Sequence, residues 1–277
     1  MLCPVRLLAL AGVLACAVAI PLPGHTEFAP ARVHCLSMHG AAHAHGAQKD
    51  RHRHLSEGLR AGKSPARLRD AAKVVLGNIT SFAGFFTVDV EKASNMFFWH
   101  FPALSGDEKA PLLIWLQGGP GASSMFSLFH EIGPYALEQG GASGQRSDIR
   151  LSQRALSWNN RYALLFIDNP VGAGFSYTES RDGYPSTEEA VAAHLLSVVQ
   201  QFYLVFPGAR AVPLYLTGES YAGHYIPALG ISIHEHNAAL DQGNPAFIPL
   251  AGLAIGDGWI DPLNMVPDHP NMLEACM

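Results

Sequence analysis

The chain has 277 residues, of which 48% are hydrophobic and 15% charged, with a formal net charge of −5 and an isoelectric point near 6.2. This composition excludes an intrinsically disordered chain, which would be poorer in apolar residues and richer in charge. The weakly acidic balance gives no basic surface for nucleic acid or for an anionic membrane, so neither is expected as a partner. The length allows one large α/β domain or two small ones.

The N-terminus has the pattern of a secretory signal peptide. Arg6 precedes an apolar run over residues 7–20, and Ala17 and Ala19 form an A-x-A cleavage pattern. The run is short for a bilayer span. We therefore expect residues 1–19 to be a signal peptide, with no membrane span after its cleavage and a secreted, lysosomal or endoplasmic reticulum location. An N-terminal membrane anchor is the alternative.

Residues 20–73 show no sustained hydrophobic period and are rich in Ala, Arg, Gly and His. They predict a flexible pro-segment or linker. The stretch "HGAAHAHGAQKDRHRH" could be a metal-binding tract. No cysteine or carboxylate cluster completes such a site, so a weakly basic linker is favoured, and no metal or cofactor is expected. Beyond it, Asn78-Ile79-Thr80 is an N-glycosylation sequon, usable on a secretory route.

From residue 74 onward, strand patterns alternate with helix patterns. "FAGFFTVDV" and "ASNMFFWHFPAL" are aromatic-rich strands, and "APLLIWLQ", "RYALLFID", "VPLYLTG" and "FIPLAGLAIGDG" are short apolar strands typical of burial on both faces. "STEEAVAAHLLSVVQQFYLVFP" predicts a helix with a Ser186–Glu189 capping box, ended by Pro207. "YAGHYIPALGISIHEHNAAL" predicts another helix. Alternation of this kind predicts an α/β fold with a parallel sheet.

Ser220 lies in "LYLTGESYAGHY", between a predicted strand and a predicted helix. A nucleophile elbow requires this context, because the sharp turn lifts the serine oxygen above the strand ends. The small residues Gly218 and Ala222 allow the backbone to fold back on itself. The helix then directs its N-terminal N–H groups at negative charge developing near the serine. An ordinary strand-to-helix turn is the alternative.

A second glycine-rich segment, "WLQGGPGASS", follows another apolar strand. Its backbone N–H groups are not covered by side chains, so a loop of this kind facing the elbow would form an oxyanion hole. A phosphate-binding turn fits less well. The Walker pattern is absent, and Pro120 removes a donor.

These segments, with "FHEIGPY", "SWNNRYALLFIDNPVGAGFSYT" and "AIGDGWIDP", occur in the order found in serine carboxypeptidases of the α/β-hydrolase fold. The chain most resembles the vitellogenic-like members, whose glycine motif also carries Gln at the position of Gln117. The resemblance covers residues 81–262. It implies the N-terminal half of a mixed, mostly parallel sheet with flanking helices, formed by a partial domain over residues 74–262.

The resemblance also implies roles for individual residues. Ser220 would attack the scissile carbonyl to form an acyl-enzyme, and the N–H groups of Gly119 and Tyr221 would bind the oxyanion. Peptide or protein C-termini are the expected partners, and a homodimer is possible because many relatives dimerise. The free carboxylate of the substrate would be bound by Trp115, Gln117, Gly118, Glu131 and Glu219. Clustered carboxyls raise one another's pKa, so a protonated Glu131 or Glu219 would donate to this carboxylate.

The sequence departs from the family pattern in several places. Ala122 replaces a cysteine common in the glycine motif, so the disulfide that many relatives make there is not expected. Residues 263–277 diverge, and their prolines make a helix unlikely. In the family the triad Asp and His follow the serine much later, and neither they nor the C-terminal strands and cap region fall within this sequence.

We therefore expect a C-terminally truncated product with an exposed sheet edge. His224 lies one helical turn after Ser220 and is interpreted as structural. The functional hypotheses are a serine-type carboxypeptidase, an inactive product that only binds peptide C-termini, and, less favoured, an acyltransferase on the same scaffold.

Overall fold

The computed structural model describes residues 53–139 and 149–276. The expected signal peptide, the histidine-rich stretch up to His52 and the middle of the glycine-rich loop after Gln139 lie outside these residues. Within the described part, no helix is long and apolar enough to cross a membrane. The elements in chain order are α1 (Leu55–Arg60), α2 (Pro65–Ala72), β1 (Lys73–Leu76), β2 (Ile79–Asp89), β3 (Ser94–Phe101), β4 (Leu112–Leu116), α3 (Met125–His130), β5 (Tyr135–Gln139), β6 (Ile149–Gln153), β7 (Ala163–Ile167), α4 (Glu188–Val205), β8 (Leu214–Glu219), α5 (Ala222–Asn237), β9 (Leu250–Gly256) and α6 (Pro262–Cys276).

The main sheet has seven described strands in the order β1-β2-β3-β7-β4-β8-β9. The pairs β1–β2, β2–β3 and β3–β7 are antiparallel. The pairs β7–β4, β4–β8 and β8–β9 are parallel. In the parallel part, Ile114 of β4 lies opposite Leu165 of β7 and Leu216 of β8. β5 and β6 form a separate antiparallel pair. The expected mixed, mostly parallel arrangement with flanking helices is confirmed.

The sequence of β4 explains why this strand occupies the middle of the sheet. Every residue of "LLIWL" is buried, and alternate side chains of a strand point to opposite faces. Leu112, Ile114 and Leu116 join a core that includes side chains of α4 and α5. Leu113 and Trp115 join a second core that includes side chains of α3. The sheet therefore lies between two apolar layers, as a continuous apolar run predicts.

The segment from residue 53 to residue 73 differs from the flexible linker that was expected. It forms α1, α2 and the first residue of β1, and Leu55, Leu68 and Ala72 are buried in the core on the α4 side. The Arg69 guanidinium donates to the Val205 carbonyl at 3.2 Å. These anchors are distant in sequence, so local periodicity gives no sign of them. The prediction was wrong over this segment, and the ordered fold begins before residue 74.

The start of α4 also differs from its prediction. The N-cap is Thr187 rather than Ser186, and the Thr187 hydroxyl accepts from the Ala190 N–H at 3.2 Å. Two adjacent hydroxyl residues offer the same chemistry, and only the backbone conformation selects between them. The helix ends at Val205, before Pro207, as expected.

Residues 262–276 form a helix despite Pro267 and Pro270, so the expectation that prolines exclude a helix there was wrong. Pro262 occupies the first helical position, where its missing N–H costs nothing. The later prolines each remove one donor. Side chains along α6 are largely exposed, so water can solvate the carbonyls that these prolines leave unbonded.

The parallel strands end at a common edge of the sheet, where four polar side chains follow them directly. Gln117 follows β4, Asp168 follows β7, Glu219 closes β8 and Asp257 follows β9. In sheets of this class, ligands bind beyond the carboxyl ends of parallel strands. β9 is the last strand in the order, and Leu253 on it is 47% exposed.

Candidate active site

Ser220 occupies the sharp turn between β8 and α5. Its φ is +54°, one of three positive values at non-glycine residues in the described chain. Such a conformation is uncommon outside glycine and asparagine and is often found at functional sites. The Ser220 carbonyl accepts from the N–H groups of Gly223 at 2.9 Å and Trp259 at 2.8 Å. The elbow predicted from the sequence is therefore present, and hydrogen bonds hold it in its strained form.

The loop after β4 packs directly against this elbow. A Cβ placed on Gly118 would lie 2.6 Å from the Tyr221 nitrogen and 2.7 Å from the Ser220 Cβ, so only glycine permits the approach. Gly119 follows with a φ of +115°. The backbone hydrogen bonds among the described residues leave the N–H groups of Gly119 and Tyr221 unused. The loop and the elbow thus bring together the backbone groups predicted as oxyanion donors.

Gln117 connects the end of β4 to the residue before the serine. Its side-chain amide donates to Glu219 Oε1 at 2.6 Å. The side-chain oxygen of Gln117, Oε1, accepts from Trp115 Nε1 at 3.1 Å and from the Ser127 hydroxyl. These bonds fix which end of the amide faces Glu219. Ser127 was not predicted as a site residue, because nothing in the local sequence marks a buried serine on α3.

Glu219 lies within a group of acidic side chains. Burial raises the pKa of its carboxyl, and the nearby Glu131 and Asp257 carboxylates raise this pKa further, while the hydrogen bond from Gln117 opposes the shift. Glu131 lies at the C-terminal end of α3. Its Oε2 is buried with no partner among the described residues.

Asp257 completes this acidic group. It follows β9 in a left-handed conformation with a φ of +38°. The carboxylate-binding set predicted from the sequence is therefore brought together around Gln117 and Glu219. Asp257 and Ser127 are additions that depend on the tertiary fold.

Asp168, which follows β7, is fully buried beside the glycine loop. It accepts from the Ser123 hydroxyl at 2.6 Å and from the Ser124 N–H at 2.9 Å. Burial raises the pKa of this carboxyl to about 6, although the donors from Phe175, Ser123 and Ser124 favour its charged form. The sequence motif around it contributed only to the family resemblance, and no role for Asp168 was predicted.

Among the described residues, no imidazole is bonded to the Ser220 hydroxyl. The imidazole contacts of His100, His54 and His236 lie elsewhere. The His224 ring instead packs against the Tyr221 ring at 4.7 Å, in keeping with a structural role. In the part of the chain described here, no group of three or more His, Cys, Asp or Glu side chains is placed to hold a metal ion.

Asn78 lies on an exposed turn between β1 and β2, remote from Ser220 along the chain. Its side-chain oxygen accepts from the Tyr135 hydroxyl at 2.6 Å. Its backbone N–H donates to the same hydroxyl at 3.0 Å. The side-chain nitrogen, which is the atom that would carry a glycan, makes no hydrogen bond to the described part of the chain.

Comparison with known proteins agrees with this geometry. The sequence profile of the family described as "Serine carboxypeptidase" matches residues 74–275. The chain belongs to the serine carboxypeptidase family. Among curated relatives, the vitellogenic carboxypeptidase of Aedes aegypti is 44% identical over 201 residues, which are 72% of this chain and 40% of that protein. The probable serine carboxypeptidase CPVL of Homo sapiens is 44% identical over 196 residues, covering 71% of this chain and 39% of that protein.

A solved structure in the same family shares the fold. Kex1Δp, a prohormone-processing carboxypeptidase from Saccharomyces cerevisiae, superposes with a TM-score of 0.59 at 32% sequence identity. The match covers 70% of this chain and 42% of that one. The family and the α/β-hydrolase fold expected from the motifs are therefore confirmed. The chain spans about 40% of the length of the curated relatives it matches.

Proposed function

We propose that this chain provides the nucleophile, the oxyanion donors and the carboxylate-binding group of a serine-type carboxypeptidase. The observation that carries the proposal is the strained Ser220, with φ of +54°, against which the Gly118 backbone is packed. Ser220 Oγ attacks the scissile carbonyl carbon and passes its proton to a base. The C–N bond then breaks, the protonated amine leaves, and water releases the acyl group.

The acidic group beside Ser220 supports specificity for a free C-terminus. Glu219 is the residue directly before the serine, so a carboxylate held there lies close to the reacting carbonyl. The raised pKa of Glu219 favours a protonated carboxyl at this residue, which donates to the substrate. The Gln117 side chain is held by Trp115 and Ser127. When its amide no longer donates to Glu219, it donates to the substrate carboxylate instead.

Labelling by a fluorophosphonate probe, followed by product analysis on peptides, tests this function. We expect the purified chain to be labelled at Ser220 and to release C-terminal residues one at a time, and Ser220→Ala to lose both activities. Ser197→Ala, a matched serine substitution on α4, should retain them. Release of products from the interior of a peptide, or labelling that survives Ser220→Ala, would contradict the proposal. An acyl-glucose donor distinguishes hydrolysis from acyl transfer.

A second candidate is a protein that binds peptide C-termini without cleaving them. It is favoured by one observation: in residues 53–139 and 149–276, no imidazole contacts the Ser220 hydroxyl. A chain of this kind would bind a peptide with a free carboxylate and would not react with the probe. Isothermal titration with such a peptide, beside the labelling assay, separates the two candidates.

We also propose that the protein follows the secretory pathway and carries an N-glycan at Asn78. Support comes from the exposure of Asn78 on its turn and from the orientation of its amide, whose oxygen is held by Tyr135. Protein expressed in a eukaryotic secretory host should lose mass on treatment with peptide N-glycosidase, and Asn78→Gln should show no such loss. An unchanged mass in the wild-type chain would contradict the assignment.

A further inference from the structure

The glycine loop that follows β4 must be held in place if it is to present the Gly119 N–H to Ser220. Within the loop, the Ala122 N–H donates to the Gly118 carbonyl at 3.1 Å. This single turn does not fix the loop relative to the sheet. The packing of Gly118 against the elbow and the contacts at the two ends of the loop decide where Gly119 lies.

The Asp168 carboxylate makes two of the hydrogen bonds that fasten the C-terminal end of the loop. Asp168 Oδ1 accepts from the Ser123 hydroxyl at 2.6 Å and from the Ser124 N–H at 2.9 Å. Both distances are typical of strong hydrogen bonds to a charged acceptor. Asp168 follows β7, the strand next to β4, and it is completely buried, so water does not compete for these donors.

The other carboxylate oxygen is also occupied. Asp168 Oδ2 accepts from the Phe175 N–H at 2.8 Å, and a Cβ on Gly174 would lie 2.1 Å from it. The loop after β7 therefore encloses the carboxylate, and no space remains for the group to rotate. One side chain thus joins the loop after β4 to the loop after β7.

The N-terminal end of the glycine loop is joined to the end of β7 through the Ser124 hydroxyl. The Ser124 hydroxyl accepts from the Gln117 N–H at 3.1 Å and donates to the Ile167 carbonyl at 2.6 Å. Gln117 precedes Gly118, so the residues just before and just after the loop are both tied to the end of β7.

We propose that Asp168 is a positioning residue whose carboxylate sets the place of the Gly119 N–H relative to Ser220. Its use in catalysis rests on the proposed function, because Asp168 acts through the loop and touches no substrate. A displaced oxyanion donor is costly: loss of one such donor lowers kcat by about 10²–10³-fold, and a misplacement of about 1 Å costs about 10²-fold.

The chain offers a matched pair of variants for the test. The Ser123 hydroxyl donates to Asp168 Oδ1 and accepts from the Met125 N–H at 3.2 Å. The Ser176 hydroxyl donates to the Asp168 backbone carbonyl at 2.6 Å and accepts from the Phe97 N–H at 2.8 Å. Both hydroxyls are buried and make two bonds, but only Ser123 belongs to the glycine loop. Ser123→Ala should loosen the loop, whereas Ser176→Ala should not.

Two measurements on Asp168→Asn, Ser123→Ala and Ser176→Ala read out the position of the loop. Amide hydrogen exchange over residues 117–125 should accelerate at least about tenfold in the first two variants and stay within about twofold in Ser176→Ala, because only the first two alter the hydrogen bonds between the Asp168 carboxylate and the loop. The rate of Ser220 labelling by the fluorophosphonate should fall about 10–100-fold in the same two variants. Asp168→Asn is compared only if its thermal unfolding remains cooperative, and Ser123→Ala carries the test otherwise.

The outcomes separate this proposal from the proposed function. Unchanged exchange over residues 117–125 in Ser123→Ala, or an equal acceleration in Ser176→Ala, overturns the positioning role. A wild-type chain that never reacts with the probe contradicts the proposed hydrolase, while the exchange comparison still decides whether Asp168 holds the loop.

Discussion

Two acidic regions lie on either side of the glycine loop, and they differ in what their oxygens contact. The Asp168 carboxylate accepts three hydrogen bonds from the Ser123, Ser124 and Phe175 donors and is fully buried. Glu219 is partly exposed, and beside the Gln117 amide it faces two other carboxyl groups. Burial is the first cause of a raised pKa in both. The enclosed Asp168 carboxylate is suited to holding the two loops together, whereas the partly exposed Glu219 carboxyl is open to a ligand.

Gly118, which lies between the two regions, should give the largest effect. Gly118→Ala places a methyl group 2.6–2.8 Å from backbone atoms of Glu219 and Tyr221, and such overpacking costs about 1–3 kcal/mol. We expect this loss in the free energy of unfolding measured with urea, together with loss of Ser220 labelling. Gly208→Ala, where nothing lies within 4 Å of the added Cβ, is the control. Equal stability of the two variants would contradict the close packing.

The pH dependence of stability tests the Asp168 side of the comparison. The folded-state pKa of about 6 exceeds the unfolded value of about 3.9, so the folded state binds more protons between these values. Asp168 therefore contributes stability at low pH that is lost as pH rises from about 4 to about 6, on the order of 2–3 kcal/mol. The wild-type free energy of unfolding, minus that of Asp168→Asn, should fall by this amount over the window. A constant difference would show that the carboxyl titrates normally.

The affinity for a substrate carboxylate tests the Glu219 side. Because the pKa of Glu219 is raised, binding that needs its proton should weaken as pH rises, by up to about tenfold per unit above that pKa. The Kd of a peptide with a free C-terminus, measured from about pH 4.5 to about pH 7.5, should increase accordingly. The amidated peptide is the control and should show no such trend. A flat profile for the free acid would contradict a protonated carboxyl as donor.

Ser127 should give the smallest effect. Ser127→Ala removes one hydroxyl donor from the Gln117 side-chain oxygen, while the Trp115 donor remains. Loss of one such bond costs about 1 kcal/mol, so we expect the Kd of the free-acid peptide to rise about fivefold. Loop exchange over residues 117–125 should stay near the wild-type rate, in contrast to Ser123→Ala. A large change in that exchange would show that Ser127 also holds the glycine loop, which would contradict the distinction between the two regions.

The sequence alone determined the features that depend on neighbouring residues. Buried strands were predicted from apolar runs such as "LLIWL" and "ALLFI", and the elbow from Gly218 and Ala222 around Ser220. The oxyanion and carboxylate-binding residues came from the family resemblance. The structure brings these groups to one end of the sheet, because parallel strands share the edge at which they end.

The features that depend on contacts between residues far apart in the sequence were decided only by the tertiary structure. The bond from Ser123 to Asp168 spans 45 positions and that from Gln117 to Glu219 spans 102, so no local pattern in the sequence contains them. The same reason explains the error over residues 53–73, where Leu55 and Leu68 are helical because they pack against distant parts of the core. Residues whose role is set by a distant partner, such as Asp168, Ser127 and Asp257, could be identified only once the chain had brought those partners together.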